Sequence, residues 1–243
     1  MIKIAVNGAA GRMGSRILAL ANEQPNNFKV VQTFDLDGRS ESLLPYVKGK
    51  KKLKCDVLID FSGPDGANWS AAAAHLSKKA VVIGSTGLDD EFMRKIKTIA
   101  KGIPVALSSN MSVGVNVMLA LVVEAAQKLS DDFAVQMTET HHCHKKDAPS
   151  GTALMLLRAI ADVRKWNTQR TTKEKGRIHS IREGEIVGDH TVLFSGPSET
   201  IEITHRAQSR DTFARGALLA AQFVSKKTRG LYTMKDVLVI GKI

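Results

Sequence analysis

The stretch "IKIAVNGAAGRMGSRILALANE", residues 2 to 23, limits the fold more than any other part of the chain. Its first five residues are a short apolar run suited to a buried strand, and "SRILALANE" carries a helical pattern. Gly8, Gly11 and Gly14 punctuate the passage from one to the other. In this spacing the first glycine makes the turn, the second lets backbone approach a pyrophosphate, and the third lets helix and strand pack closely. The helix N-terminus then offers free N–H groups to the phosphates. A tight turn without a ligand is the alternative. The context favours a dinucleotide, because a second strand-like run, "KVVQTFD" (29–35), follows after a helix-length gap and ends on Asp35, a carboxylate suited to ribose hydroxyls. Arg12 can pair with a 2′-phosphate that Asp35 repels, so NADPH and NADH both stand as expected cofactors.

The alternation continues. Apolar runs at 56–62 ("DVLIDFS"), 80–87 ("AVVIGSTG") and 103–110 ("IPVALSSN") end in small polar residues, and the segments between them read as helices. This order predicts an α/β fold with a Rossmann-like, doubly wound parallel sheet and ligands at the carboxyl ends of its strands. Gly84, Ser85, Thr86, Ser108, Ser109, Asn110 and Met111 fall at those ends, although plain strand-to-helix loops account for them nearly as well. Beyond residue 112 the punctuation changes. A helix candidate, "VMLALVVEAAQKLS", precedes an alternating strand, "FAVQMTET" (133–140). After a further helix and a polar segment at 167–176, strand-like runs at 177–183, 190–196 and 199–207 follow one another. Strands in succession predict a second, α+β domain with a mixed sheet. "TFARGALLAAQFVSKK" reads as a helix and "DVLVI" (236–240) as a closing strand, with a return to the first sheet as one option.

Bulk properties narrow the partners. At 243 residues and 43% hydrophobic, the chain can build one large core or two modest ones. The net charge of +11 would attract nucleic acid, anionic membrane or small anionic metabolites. With 5% aromatic residues and no reading module, nucleic acid is not expected. No apolar run of membrane-spanning length occurs and no secretory signal opens the chain, so a cytoplasmic protein without a membrane partner is expected. The basic run "KGKKKLK" (48–54) reads as a solvated loop. Cys55 and Cys143 form no CxxC motif, and reduced thiols are expected.

Residues 140–153, "THHCHKKDAPSGTA", admit three chemistries. His141, His142, Cys143 and His144 are all zinc-ligand types, but neighbours along an extended chain point to opposite faces, so these four do not converge on one ion and no metal is expected. Cys143 as a nucleophile would find a base in His141 or His144, yet no helix N-terminus directly follows it. The third reading is an anion seat. Ser150 or Thr152 can cap a helix after Pro149, and Gly151 leaves the backbone N–H groups unscreened. Lys145 and the paired histidines add a cation and proton carriers a few residues upstream.

"ETHHCHKKDAPSGTA" closely resembles the signature of the dihydrodipicolinate reductases, enzymes of lysine and diaminopimelate biosynthesis now usually called 4-hydroxy-tetrahydrodipicolinate reductases. "VNGAAGRMG", "IDFSGP", "GSTG", "NMSVGVNVM", "GEIVGDHTVLF" and "EITHRAQSRDTFARGA" extend the resemblance, in the family's order, over nearly the whole chain. It implies a dinucleotide-binding domain at 1–112 and 211–243, and a substrate-binding and oligomerisation domain at 113–210, assembled as a homotetramer. It implies His141 as acid/base, Lys145 as proton donor and carboxylate-binding cation, and His142, Ser150, Gly151 and Thr152 as substrate-binding positions. Gly8, Ala9, Ala10, Gly11, Arg12, Met13, Asp35, Gly84, Ser85, Thr86, Ser108, Ser109, Asn110 and Met111 correspond to cofactor contacts. The implied reaction moves hydride from a reduced nicotinamide to a small cyclic dicarboxylate, with domain closure about joints near 112 and 210. Two rivals remain at this stage: a nucleotide-sensing regulator without chemistry, and a semialdehyde dehydrogenase using Cys143.

Overall fold

Ile4, Ala5, Val6 and Asn7 are buried in succession, so both faces of β1 (Ile2–Asn7) are covered. A strand buried on both faces belongs in a parallel sheet layered by helices. The structure, a computed structural model, describes residues 1–36, 40–166 and 178–239. Its larger sheet joins β1 to β2 (Phe28–Phe34), β3 (Val57–Asp60), β4 (Ala80–Ile83), β5 (Pro104–Leu107) and a late strand, β10 (Gly230–Tyr232). All are parallel, in the order β10-β5-β4-β3-β1-β2. The period of two in side-chain direction then sorts the residues. Ile4, Val6, Val57 and Ile59 pack on α1 (Arg12–Asn22) and α7 (Asp211–Val224), whereas Ala5 and Leu58 pack on α3 (Pro64–Ser77) and α4 (Asp90–Ile99). Each branched side chain buried this way contributes about 1.5–3 kcal/mol. The Arg16 guanidinium adds a bidentate pair to Asp211, at 2.6 and 2.8 Å, that fastens α1 to α7.

The chain divides into two compact units, residues 1–113 with 211–243, and residues 114–210. The second contains β6 (Ala134–His141), β7 (Ile178–Arg182), β8 (Gly188–Ser195) and β9 (Thr200–Ala207) in the order β7-β6-β8-β9. Only β6 and β7 run parallel, so this sheet is mixed, as the succession of strand-like runs predicts. Val135, Met137, Val192 and Phe194 face α5 (Val113–Lys128) and α6 (Gly151–Val163), where Met118, Val122, Leu156 and Ile160 complete the core.

One expected element is wrong. "DVLVI" is not the closing strand: Met234–Val237 form a short helix, α8, and the return to the first sheet is made by Gly230–Tyr232 beside β5. The reason is local. The Thr233 N–H and hydroxyl both donate to the Asp236 carboxylate at 2.8 Å, which turns the chain, and Met234 and Val237 bury on the same helical face. Residue 240 and the polar segment expected at 167–176 lie outside the described residues. The sequence pattern also misses a four-residue helix, α2 (Leu44–Val47), where Tyr46 is buried against Phe34.

Candidate active site

The order of the larger sheet reverses at β1, which has β2 on one side and β3 on the other, and open α/β sheets bind ligands at such a switch point. A cavity of about 590 Å³ lies there, lined by Gly8, Gly11, Asp35, Ser62, Gly63 and Gly66 among others. Gly8 and Gly14 are sterically required. A Cβ on Gly14 would stand 2.0 Å from the Gly8 carbonyl oxygen, and Gly8, at φ +78°, would bring one within 2.7 Å of the Phe61 carbonyl. The N-cap of α1 is Gly11, with no side chain capping it, so the first-turn N–H groups are left for a ligand. Asp35 sits at the rim and accepts from the Ala10 N–H at 2.7 Å. Ala9 is buried, Met13 half-buried and Arg12 exposed. The cradle therefore fits a dinucleotide.

The other residues expected at the strand ends divide. Ser85 is buried and its hydroxyl is already used, donating to Asp60 and accepting from the Gly63 N–H at 3.0 Å. Asp60, fully buried, also accepts from Asn7 at 2.7 Å and Ser70 at 2.6 Å, so one carboxylate ties together the loops after β1, β3 and β4. A Cβ on Gly84 would meet the Phe61 ring at 2.2 Å, which explains that glycine by packing. Thr86 and Ser109 are exposed; Ser108 and Asn110 hold the turn through the Ser108 hydroxyl, and the Met111 side chain is buried in the core.

In the second unit the sheet register builds a polar cluster. Val135, Met137, Glu139 and His141 share the inward face of β6, and Gly188, His190, Val192 and Phe194 share that of β8. Glu139 pairs across to His190, and on the other side Arg182 of β7 stands beside His141. The apolar half of this face is core. Its other half is Glu139 bonded to His141 Nδ1, with Arg182 donating to the second Glu139 oxygen at 2.8 Å. Gly188 is small because the His141 ring occupies its side-chain space, Nε2 lying 2.9 Å from where a Cβ would be. The His190 ring meets His141 edge-on at 5.2 Å between centroids, and its Nε2 lies 3.1 Å from the Ser150 hydroxyl.

Ser150 also caps α6, accepting from the Ala153 N–H, and so joins the cluster to a helix N-terminus. Space around Gly151 is open: a Cβ there would meet nothing within 4 Å. Thr152 follows, half-buried. Lys145 pairs with Asp147 at 2.9 Å, while Arg182 donates to the Asp147 carbonyl at 2.6 Å. His142 is half-buried, with a solvent-shielded Nδ1 that meets no hydrogen-bond partner among the described residues.

Residues 2–111 match the family described as dihydrodipicolinate reductase, N-terminus, and residues 114–238 match its C-terminus. The chain belongs to the dihydrodipicolinate reductase family. A 4-hydroxy-tetrahydrodipicolinate reductase of Geobacter metallireducens is 43% identical over 98% of this chain and 99% of its own length. Another, from Caldanaerobacter subterraneus, is 43% identical over 99% and 100%. Among solved structures, a dipicolinate-bound dihydrodipicolinate reductase from Paenisporosarcina sp. TG-14 superposes with a TM-score of 0.80 at 22% identity, covering 97% of this chain and 98% of that one. The family's C-terminal half includes α7 and β10, which the fold returns to the first unit.

Electrostatics separates the roles within this family member's cluster. Burial works to raise the Glu139 carboxyl, but hydrogen bonds from Arg182 and Ser180 and the nearby His141 outweigh it and hold the group ionised. Burial lowers His141 despite Glu139, and so the ring is neutral near pH 7, with its proton on Nδ1 facing the carboxylate. Burial, with help from His141, pushes His190 down to about 3. Between that value and the ordinary histidine pKa near 6.5 the unfolded chain binds a proton that the folded chain refuses. Stability is thus expected to fall as pH drops through this window, by up to about 1.4 kcal/mol per pH unit from this group. Thermal midpoints from pH 7 to 4 check it: His190→Gln should flatten the decline, and an unchanged slope would contradict the assignment.

Glu139, Arg182, Gly188 and His190 carry no role in the sequence reading. Phase could have found two of them, since Glu139 and His190 stand in step with buried apolar residues of their own strands.

Proposed function

We propose that this chain reduces 4-hydroxy-tetrahydrodipicolinate to tetrahydrodipicolinate with NAD(P)H, holding the nucleotide on its first unit and the dicarboxylate on its second. The observation that carries the reading is the joining of the Glu139–His141–His190 cluster, through Ser150, to the open N-terminus of α6 at Gly151. The nicotinamide supplies hydride. The chain's own residues bind, orient and protonate. One substrate carboxylate sits on the Gly151 and Thr152 N–H groups, where the helix dipole favours negative charge, and Lys145 and His142 add charge-assisted hydrogen bonds. The 4-hydroxyl first leaves as water, and Lys145 then gives the proton that balances hydride addition to the unsaturated ring. His141, neutral, accepts at Nε2 and orders the proton's path rather than donating it. The test is a coupled assay in which substrate is made enzymatically from pyruvate and aspartate semialdehyde and oxidation of NADH and of NADPH is followed in turn; no oxidation of either would sink the proposal.

The same reading gives cofactor preference and assembly. Asp35 at the cavity rim favours NADH, because a carboxylate there binds ribose hydroxyls and repels a 2′-phosphate. Asp35→Ser is expected to shift the ratio of kcat/KM for NADPH over NADH upward by roughly tenfold, about 1.4 kcal/mol. An unchanged ratio would show that Asp35 does not read the 2′ position. In the second unit Val117, Leu121 and Ile201 are large apolar side chains left exposed, which supports self-association through that unit into a homotetramer. Analytical ultracentrifugation should give one species of four chains, and a monomer would refute it.

A further inference from the structure

The order of ligand types along residues 141–144 does not converge on one ion, yet the fold supplies a partner from elsewhere. Cys143, His144 and Glu185 are all exposed, and their ligand atoms lie within 4.8 Å of one another. His144 Nε2 is 3.7 Å from Glu185 Oε1. The backbone brings the loop and the turn that carry these side chains together. The His142 N–H donates to the Ile186 carbonyl at 2.7 Å and the Cys143 N–H to the Gly184 carbonyl at 3.1 Å, locking this loop onto the turn between β7 and β8. Gly184, at φ +50°, makes that turn tight enough to present Glu185 to the loop.

We propose that Cys143, His144 and Glu185 form a site for one borderline divalent cation of the zinc type, and that filling it inhibits the reductase by cross-linking the loop of Lys145 to the β7–β8 turn. Thiolate, imidazole and carboxylate are the three donors zinc accepts, at bond lengths of about 2.0–2.3 Å. Such lengths put tetrahedral ligand atoms roughly 3.3–3.8 Å apart, so exposed side chains need close by only about 1 Å. Exposure leaves a fourth position for water. Metal binding releases the thiol proton, so affinity falls in acid. Inhibition follows from chain connectivity. Lys145 is two residues from Cys143 and its N–H is bonded to the His142 carbonyl, so a metal clamp on 143, 144 and 185 freezes the backbone that must adjust as Lys145 leaves Asp147 for a substrate carboxylate. The clamp also sets a dication close to that ammonium.

Metal binding is read without turnover, so it stands or falls apart from the substrate assignment. The full chain, kept reduced with a phosphine, is titrated with Co²⁺, and the near-ultraviolet thiolate-to-cobalt charge-transfer band is followed, then displaced with Zn²⁺. One equivalent per chain is expected. Cys143→Ser should abolish the band and weaken Zn²⁺ about 100-fold; Glu185→Gln should keep the band and weaken Zn²⁺ about tenfold; Cys55→Ser, a buried thiol, should change neither. No band in the wild type, a band surviving Cys143→Ser, or undiminished affinity in Glu185→Gln each overturns the site. With the site filled, turnover should drop about fivefold or more in the wild type and not in Cys143→Ser. Full activity of the zinc-loaded wild type overturns the inhibitory clamp.

Discussion

Alanine in place of Lys145 is expected to lower turnover about a hundredfold or more and to raise KM for the dicarboxylate as well. Both effects come from one atom. The ammonium is held on the loop by Asp147 at 2.9 Å, with its side chain about one-fifth exposed, and the hydrogen bonds of Lys145 toward substrate would replace that pair. In the proposed mechanism, removing it deletes a carboxylate partner in the ground state and a proton source in the transition state. A hundredfold loss is about 2.7 kcal/mol of transition-state stabilisation. The contrast that identifies the role is His141→Ala, in which turnover should fall while KM stays near the wild-type value, because in the proposed mechanism His141 orients and does not grip. Steady-state kinetics at several pH values on both variants make the comparison. Wild-type kcat in Lys145→Ala would remove the residue from the mechanism, and a KM effect without a kcat effect would leave it as a binding group only.

Local patterns are enough to read the parallel sheet as far as β5, because each of β1 to β5 is a self-contained, largely apolar run ending on or followed by glycine or a polar residue. The GxxGxxG turn is legible for the same reason: its three glycines have separate duties within seven residues. Reading failed where a nonlocal or competing local bond decides. "DVLVI" has the composition of a strand, but the Thr233–Asp236 hydrogen bonds turn the chain first and Gly230–Tyr232 takes the sheet position. The histidine loop was visible as chemistry, yet its organisation was not. Nothing in the order of residues says that β6 lies between β7 and β8, and only that register brings Arg182 beside His141 and His190 beside Glu139. The same pairing delivers Glu185 to Cys143, which spacing along the chain alone leaves without a partner.

Glu139→Gln is expected to be the most damaging conservative change in the second unit. The carboxylate is fully buried and does two things at once: it fixes the His141 proton on Nδ1 and neutralises Arg182. An amide offers one acceptor and one donor where two acceptors are needed, so an oxygen kept on Arg182 turns the NH2 toward His141 Nδ1 and forces the ring proton to Nε2, and the guanidinium loses its counter-charge either way. Leaving a largely buried guanidinium uncompensated costs on the order of 3–5 kcal/mol, and the thermal midpoint should drop sharply. Stability and catalysis can then be parted by a second change. In Glu139→Gln/Arg182→Gln the orphan charge is gone and most of the lost stability should return. Turnover should remain depressed by about ten- to a hundredfold, and its pH dependence should alter, because nothing any longer holds the His141 tautomer. KM for the dicarboxylate should change little, since Lys145 and the α6 N-terminus, the proposed carboxylate seat, are left in place. If the double variant regains turnover together with stability, Glu139 serves the fold alone and His141 needs no carboxylate behind it.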